Sequence, residues 1–125
     1  MNNLGVFYEN GNGVPQSYLK AREWYEKAAA AGHSSGMHNL AKLLDQGKGG
    51  PGDFPRAARL LLESARLNNG AAITDLRGSM TTWNAKTRDE LKRELFALGH
   101  YKGPVHDTWD SDARAGFEKF LAAGK

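Results

Sequence analysis

The sequence predicts an all-α protein, a short helical-repeat solenoid that is followed by a small α-helical C-terminal unit. Apolar residues recur at three- and four-residue spacing, glycines separate the segments that carry them, and one segment resembles another 36 residues later, from Leu4 to Leu40. A pair of short helices cannot bury both of its faces alone, so such repeats stack on their neighbours. We therefore expect two complete helix-turn-helix repeats and a partial third, over residues 1–79.

The first repeat contains two predicted helices. Leu4 and Tyr8 lie one turn apart on the first helix, which should end at the glycines of residues 11–13. The second helix follows Ser17 and should end at Gly32. Its apolar stripe, in which we place both aromatic residues in the core, comprises Ala21, Trp24, Tyr25, Ala28 and Ala29.

The second repeat follows the same order 36 residues later. Its first helix should begin near Ser34 and Ser35, and residues 47–52 form a glycine-rich loop. Asp53 then precedes a helix with Pro55 near its first turn. A third copy begins with Ala72 and Leu76, which align with residues 36 and 40, and the pattern is lost at residue 78.

The signature positions of the first copy support a resemblance to a known family. They are Leu4, Gly5, Tyr8, Gly11, Gly13, Val14, Lys20, Ala21, Trp24, Tyr25, Lys27, Ala28, Ala29 and Gly32. They resemble the Sel-one-like repeat, a relative of the tetratricopeptide repeat. The second copy departs from the pattern at Leu44, Leu60 and Leu61 but keeps apolar bulk. The resemblance implies a non-catalytic adaptor that binds other proteins. It favours a bacterial periplasm or cell envelope, although the sequence does not fix the compartment.

The same resemblance implies a partner-binding surface on the concave side, which the first helix of each repeat would line. A protein or peptide would bind there. Ordinary solvent exposure is the alternative interpretation of these positions. The predicted partner-binding residues are Asn2, Val6, Glu9, Asn10, Ser35, His38, Lys42, Asp45 and Gln46.

A different pattern covers residues 80–125. Thr87 with Glu90 three residues later predicts a helix start of the capping-box type. Asp110 or Ser111 should cap a last helix. The stretch from Trp83 to Leu121 resembles a small three-helix peptidoglycan-binding-like domain, on the residues Leu91, Leu95, Leu98, Gly99, Tyr101, Gly103, Val105, Asp107, Trp109 and Phe120.

This second resemblance implies a glycan-binding role for Tyr101, Asp107 and Trp109. The sequence departs from that family at Thr108, Ala113 and Leu121, which removes polar groups from the expected site. Two interpretations therefore stay open for the unit. It binds the cell wall and targets a larger envelope protein or enzyme, or it only caps the exposed end of the repeats.

Other chemistry finds little support in the sequence. The net charge is +3 with acidic and basic residues interleaved, so no nucleic-acid partner is predicted. The chain has no cysteine, and its four histidines lack metal-ligand spacing. We predict no catalytic, metal or cofactor-binding residue, no cofactor and no membrane span. Because the first residues enter a helical pattern at once, we expect a piece of a longer chain that is a monomer or a weak dimer.

Overall fold

A computed structural model of the chain describes residues 2–11, 13–102 and 109–123, apart from the side chain of Asn2. These residues form seven α-helices and no strand, which confirms the predicted all-α class. The helices are α1 (Asn2–Asn10), α2 (Tyr18–Ala30), α3 (Ser34–Gln46), α4 (Phe54–Arg66), α5 (Gly70–Arg77), α6 (Ala85–Ala97) and α7 (Ser111–Ala123).

The 36-residue repeat reappears in the hydrogen bonds that join α1 to α2 and α3 to α4. The backbone N–H of Ser17 donates to the Tyr8 carbonyl at 2.8 Å, and that of Asp53 donates to the Leu44 carbonyl at 3.1 Å. The side chains of Ser17 and Asp53 also each accept the backbone N–H three residues later, which caps α2 and α4. Both second helices therefore start in the same way.

Small residues let the helices approach closely. A Cβ atom on Gly5 would overlap the Tyr25 ring, and one on Gly36 would lie 2.5 Å from the Cβ of Ala28. The first contact holds α1 against α2 within one repeat, and the second holds α3 against α2 between repeats. Ala28 thus marks the joint between the two repeats.

The buried stripe of α2 differs from the prediction at one aromatic residue. Ala21, Tyr25 and Ala28 are fully buried, whereas Trp24 is only partly buried and the Lys27 Nζ lies 4.5 Å from its ring centroid. Successive residues of an α-helix are about 100° apart round its axis. Because Tyr25 faces α1, its neighbour Trp24 is turned towards the edge, and the prediction that Trp24 fills the core is wrong.

The partial third repeat is α5, a helix of eight residues. Ala72 and Leu76 are fully buried, like Gly36 and Leu40 at the equivalent positions of α3. The pattern then ends at Gly78, and Met80 adopts a φ of 60°, which is uncommon for a residue with a side chain. The turn is held from behind by Arg88, whose Nη1 donates to the Met80 carbonyl at 2.9 Å.

The last two helices pack directly on the repeats. α6 lies against α4, and α7 contacts α4, α5 and α6. Asn84 caps α6, so the predicted cap Thr87 is wrong: Thr87 lies inside the helix and is fully buried. Asp110 accepts the backbone N–H of Ala113 at 2.9 Å, which confirms one of the two predicted caps of α7.

One hydrophobic core runs from Ala21 on α2 to Phe117 on α7. It passes without interruption from α4 and α5 into α6 and α7. The division at residue 79 therefore stays a prediction from the change of pattern, and the two parts share one core.

Candidate functional site

The predicted partner-binding residues of α1 are only partly accessible. Val6 and Glu9 are half-buried, and Asn10 is exposed. The Glu9 Oε1 accepts a hydrogen bond of 2.7 Å from the Tyr25 hydroxyl, so this carboxylate already serves the contact between α1 and α2. The side chain of Asn2 lies outside the described residues.

The predicted residues of α3 divide into two groups. Ser35, Lys42 and Gln46 are exposed, as expected for a binding surface. His38 is 9% exposed and Asp45 is 6% exposed, which corrects the expectation that both point outward. The burial arises because residues 74–87 return along α3, a long-range contact that the local pattern does not reveal.

Four of these residues line one hollow of about 300 Å³, which we call the α3 groove. Residues from α5 and from the turn that follows it complete the lining, and the sequence analysis did not select them. The groove is lined by His38, Lys42, Asp45, Gln46, Asp75, Thr82 and Trp83.

His38 lies at the centre of a fixed cluster in this groove. Its Nε2 is 2.8 Å from the Asp75 Oδ2, and its ring meets the Trp83 ring edge-on at 6.1 Å between centroids. Because a carboxylate can only accept, the Nε2 carries the hydrogen of this bond. The cluster connects α3 to α5 and to the turn after it.

Asp45 closes the end of the groove from inside. Its Oδ1 accepts the backbone N–H of Asn84 at 2.9 Å and the hydroxyl of Thr87 at 2.5 Å. One carboxylate at the end of α3 therefore fixes the start of α6. Asp45 therefore serves mainly to bind the first residues of α6, and only a small part of its side chain is exposed to the groove.

A smaller hollow of about 170 Å³ adjoins the α3 groove and shares Asp75, Thr82 and Trp83 with it. Its remaining lining comes from Thr74 and from residues 78–81. We call it the turn hollow. The two hollows adjoin at the three shared residues, and we call them together the depression.

The predicted glycan-binding residues lie elsewhere. Tyr101 and Trp109 are each 3% exposed, and the Trp109 Nε1 donates to the Leu76 carbonyl at 2.8 Å. Burial, reinforced by Asp110 and Asp112, raises the pKa of the Tyr101 hydroxyl. Because both rings are packed in the core, neither offers a free face for a sugar. Asp107 lies outside the described residues.

A separate hollow of about 350 Å³ borders Tyr101 on the surface of the C-terminal unit. Its exposed lining includes Lys102, Asp112 and Lys119. It shares no residue with the α3 groove.

The α3 groove offers charged and hydrogen-bonding groups together with apolar surface. Among the described residues, no three histidine or acidic side chains gather as they would around a metal ion. In the same part of the chain, none of the helices combines the length and apolar character needed to cross a bilayer.

The sequence model of the Sel1 repeat matches residues 1–33 and 34–69, which together exceed half of the chain. The two matched units correspond to the helix pairs α1–α2 and α3–α4. Neither match reaches the C-terminal unit, and the resemblance of that unit to a peptidoglycan-binding domain finds no support. No curated protein matches the sequence. Sel1 repeats are non-catalytic modules that generally mediate protein–protein interaction. With two matched repeats over most of its helical stack, the chain belongs to the Sel1 repeat family.

Proposed function

We propose that this chain is an adaptor module that binds a protein partner through the α3 groove. The observation that carries the proposal is the convergence of His38, Lys42, Asp45 and Gln46 on one hollow. The resemblance to the Sel1 repeat had implied these residues as positions on the concave side of a solenoid. Their meeting in one depression supports their use together.

The balance of fixed and free groups in the groove suits selective binding. His38, Asp75 and Trp83 hold one another in place, so little side-chain freedom is lost when a ligand arrives. Lys42 and Gln46 are exposed on the same helix wall and are available for polar contacts at the rim. A partner segment would therefore contact fixed side chains inside the groove and adaptable side chains at its rim.

Site-specific photocrosslinking in the source cells tests the proposal. A photoreactive amino acid at Gln46 should capture a defined protein, whereas the same group at Lys20 on α2 should not. Both positions are exposed, and Lys20 lies far along the chain from the groove residues. Adducts of equal yield and identity from both positions would contradict a dedicated binding site at the groove.

The captured partner then allows a quantitative test with charge-matched variants. Lys42→Glu reverses the charge at the rim of the groove and should therefore change the affinity about tenfold or more, whereas Lys20→Glu should leave it unchanged. Both variants should melt like the wild type because both side chains are exposed. Equal affinities of the two variants would rule out the groove as the binding surface.

Sedimentation with purified peptidoglycan separates this function from cell-wall binding by the C-terminal unit. We expect no retention of the chain. Retention that is lost in Lys119→Glu, at the hollow beside Tyr101, would instead favour the cell-wall function. Trp109→Ala is unsuitable for this purpose because Trp109 is a core residue.

A further inference from the structure

The α3 groove and the turn hollow adjoin, which bears on the shape of a ligand that would contact both. The two share Asp75, Thr82 and Trp83, so a ligand long enough to contact both would pass these three residues. The face of α3 lines the α3 groove alone, whereas residues between Thr74 and Trp83 line the turn hollow and complete the α3 groove. A depression of this form fits an extended chain segment better than a compact small molecule.

The lining of the turn hollow indicates a polar contact with a ligand. Its two large apolar side chains, Met80 and Trp83, are almost wholly buried beneath the surface. Hydroxyl groups on the exposed residues Thr74, Ser79, Thr81 and Thr82 border the turn hollow. Hydroxyls can both donate and accept, as the N–H and C=O groups of an extended backbone require. An apolar helix would find little surface to bury here.

The shared centre of the depression carries a carboxylate with spare capacity. His38 binds only the Oδ2 of Asp75, and among the described residues the Oδ1 has no hydrogen-bond partner. The Asp75 side chain is 32% exposed, so this oxygen is within reach of a ligand. The Oδ1 of Asp45, by contrast, already accepts two internal bonds.

The basic side chain in direct contact with Asp75 is His38, which pairs with its Oδ2. Arg88 lies behind the turn, where its Nη1 donates to the carbonyls of Met80 and Trp83, and it lines neither hollow. Lys42 lies on the α3 wall and lines only the α3 groove. The shared lining therefore presents the Oδ1 of Asp75, and the α3 wall presents the positive charge of Lys42.

We propose that the depression binds an extended peptide segment that carries an arginine or lysine, whose cationic head pairs with Asp75. This inference rests on the partner-binding function proposed above and specifies its chemistry. A charged donor on a carboxylate makes a stronger hydrogen bond than a neutral one, and guanidinium matches the carboxylate best. The segment's backbone would follow the hydroxyl groups of the turn hollow.

Three nine-residue peptides test the charge directly on the intact chain. Each has a glycine-serine backbone, and the central residue is arginine, the neutral isostere citrulline, or glutamate. Two-dimensional amide NMR reports binding at millimolar peptide concentration. The arginine peptide should shift the signals of Asp75, Thr82 and Trp83 and bind about three- to tenfold more tightly than the citrulline peptide. Added salt should reduce this preference.

Matched variants locate the charge on the protein. Asp75→Asn retains an oxygen that can accept from His38 but loses the negative charge, and it should bind the arginine and citrulline peptides equally. Asp112→Asn, on the exposed surface of α7, should keep the preference. An unchanged amide spectrum away from the groove verifies that each variant is folded. The comparison of the three peptides on the wild-type chain does not depend on whether any variant folds.

The outcomes separate this inference from the proposed function. Equal binding of all three peptides, or preference for the glutamate peptide, overturns the cationic-segment proposal while leaving the groove as a binding surface. Failure of every peptide to shift the groove signals also overturns it. Crosslinking from Gln46 decides independently whether the groove binds a protein at all.

Discussion

The helices α1 and α3 occupy equivalent positions in the two Sel1 repeats, yet their apolar residues have different surroundings. Leu4 and Phe7 of α1 are 40% and 46% exposed, whereas their counterparts Leu40 and Leu43 are buried. The residue pattern is the same, and α3 differs because α2 covers one side of it and α4 another. In a repeat stack, burial is thus set by the neighbours as much as by the residue itself.

The largest expected effect compares two equivalent truncations. Leu43→Ala should lower the free energy of unfolding by about 2–5 kcal/mol because it leaves a cavity in a close-packed core. Phe7→Ala, at the matching position of α1, should cost about 1 kcal/mol or less because the ring is half exposed. Urea unfolding at neutral pH measures both. Equal losses would show that α1 and α3 are equally covered in solution.

The next effect concerns the carboxylates at equivalent positions, Glu9 and Asp45. Asp45→Ala should cost about 2–3 kcal/mol because the Asn84 N–H and the Thr87 hydroxyl lose a charged acceptor. Glu9→Ala removes one bond to the Tyr25 hydroxyl and should cost about 1 kcal/mol. Unfolding curves of both variants provide the comparison.

A double-mutant cycle of Asp45→Ala with Thr87→Val sharpens this result. The two losses should be non-additive because the residues share one bond. Additive losses would mean that Asp45 stabilises the fold by another route.

A pH-dependent effect distinguishes the first repeat from the second. Burial, together with the hydrogen bond to Glu9 and its charge, raises the pKa of Tyr25. A tyrosine in the unfolded chain titrates at about 10. The folded state therefore holds this proton more tightly, and the resulting stability is complete below about pH 10 and is lost as the pH rises further.

Tyr25→Phe tests this dependence. The urea midpoint of the wild type should fall more between about pH 8 and pH 11 than that of the variant. Tyr101, whose pKa is also raised, is present in both proteins, so the difference reports Tyr25. Leu61 at the equivalent position of α4 has no proton to lose. Parallel pH profiles of the two proteins would contradict the assignment.

The smallest expected effect lies on the ion pair that joins α2 to α4. Hydrogen bonds from Arg56, at 2.7 Å and 2.5 Å, lower the pKa of Glu26, and both side chains are 38% exposed. The coupling energy from Glu26→Gln and Arg56→Gln should be below about 1 kcal/mol because water screens the pair. It should persist above about pH 4.3 and decline as the pH falls through the lowered pKa of Glu26. A coupling as large as that of Asp45 with Thr87 would contradict the screening argument.

Much of the fold was predictable because residues that start and end helices recur at the 36-residue spacing of the repeat. Ser17 and Asp53, which lie 36 residues apart, cap α2 and α4. Gly32 and Asn68 have the same spacing and both adopt positive φ, at 84° and 73°. Asparagine tolerates that conformation through its short polar side chain, so the end of α4 is like that of α2 although its residue type differs.

The site was only partly predictable because it depends on long-range packing. Lys42 and Gln46 were found because the resemblance to the Sel1 repeat implies which positions of the first helix lie on the concave side. Asp75 and Trp83 were not, since their position beside α3 follows from how α5 and its turn fold back. The same return buries His38 and Asp45. Thr87 matched a capping pattern, but Asn84 starts the helix three residues earlier and leaves Thr87 free to bind Asp45.

The joint at Ala28 and Gly36 has a mechanical consequence. A hydrogen atom is all that Gly36 presents to α2, so a methyl group there would act as a wedge between the repeats. The wedge would tilt one repeat against the next without altering either. The spacing of the two repeats at this joint thus depends on one missing methyl group.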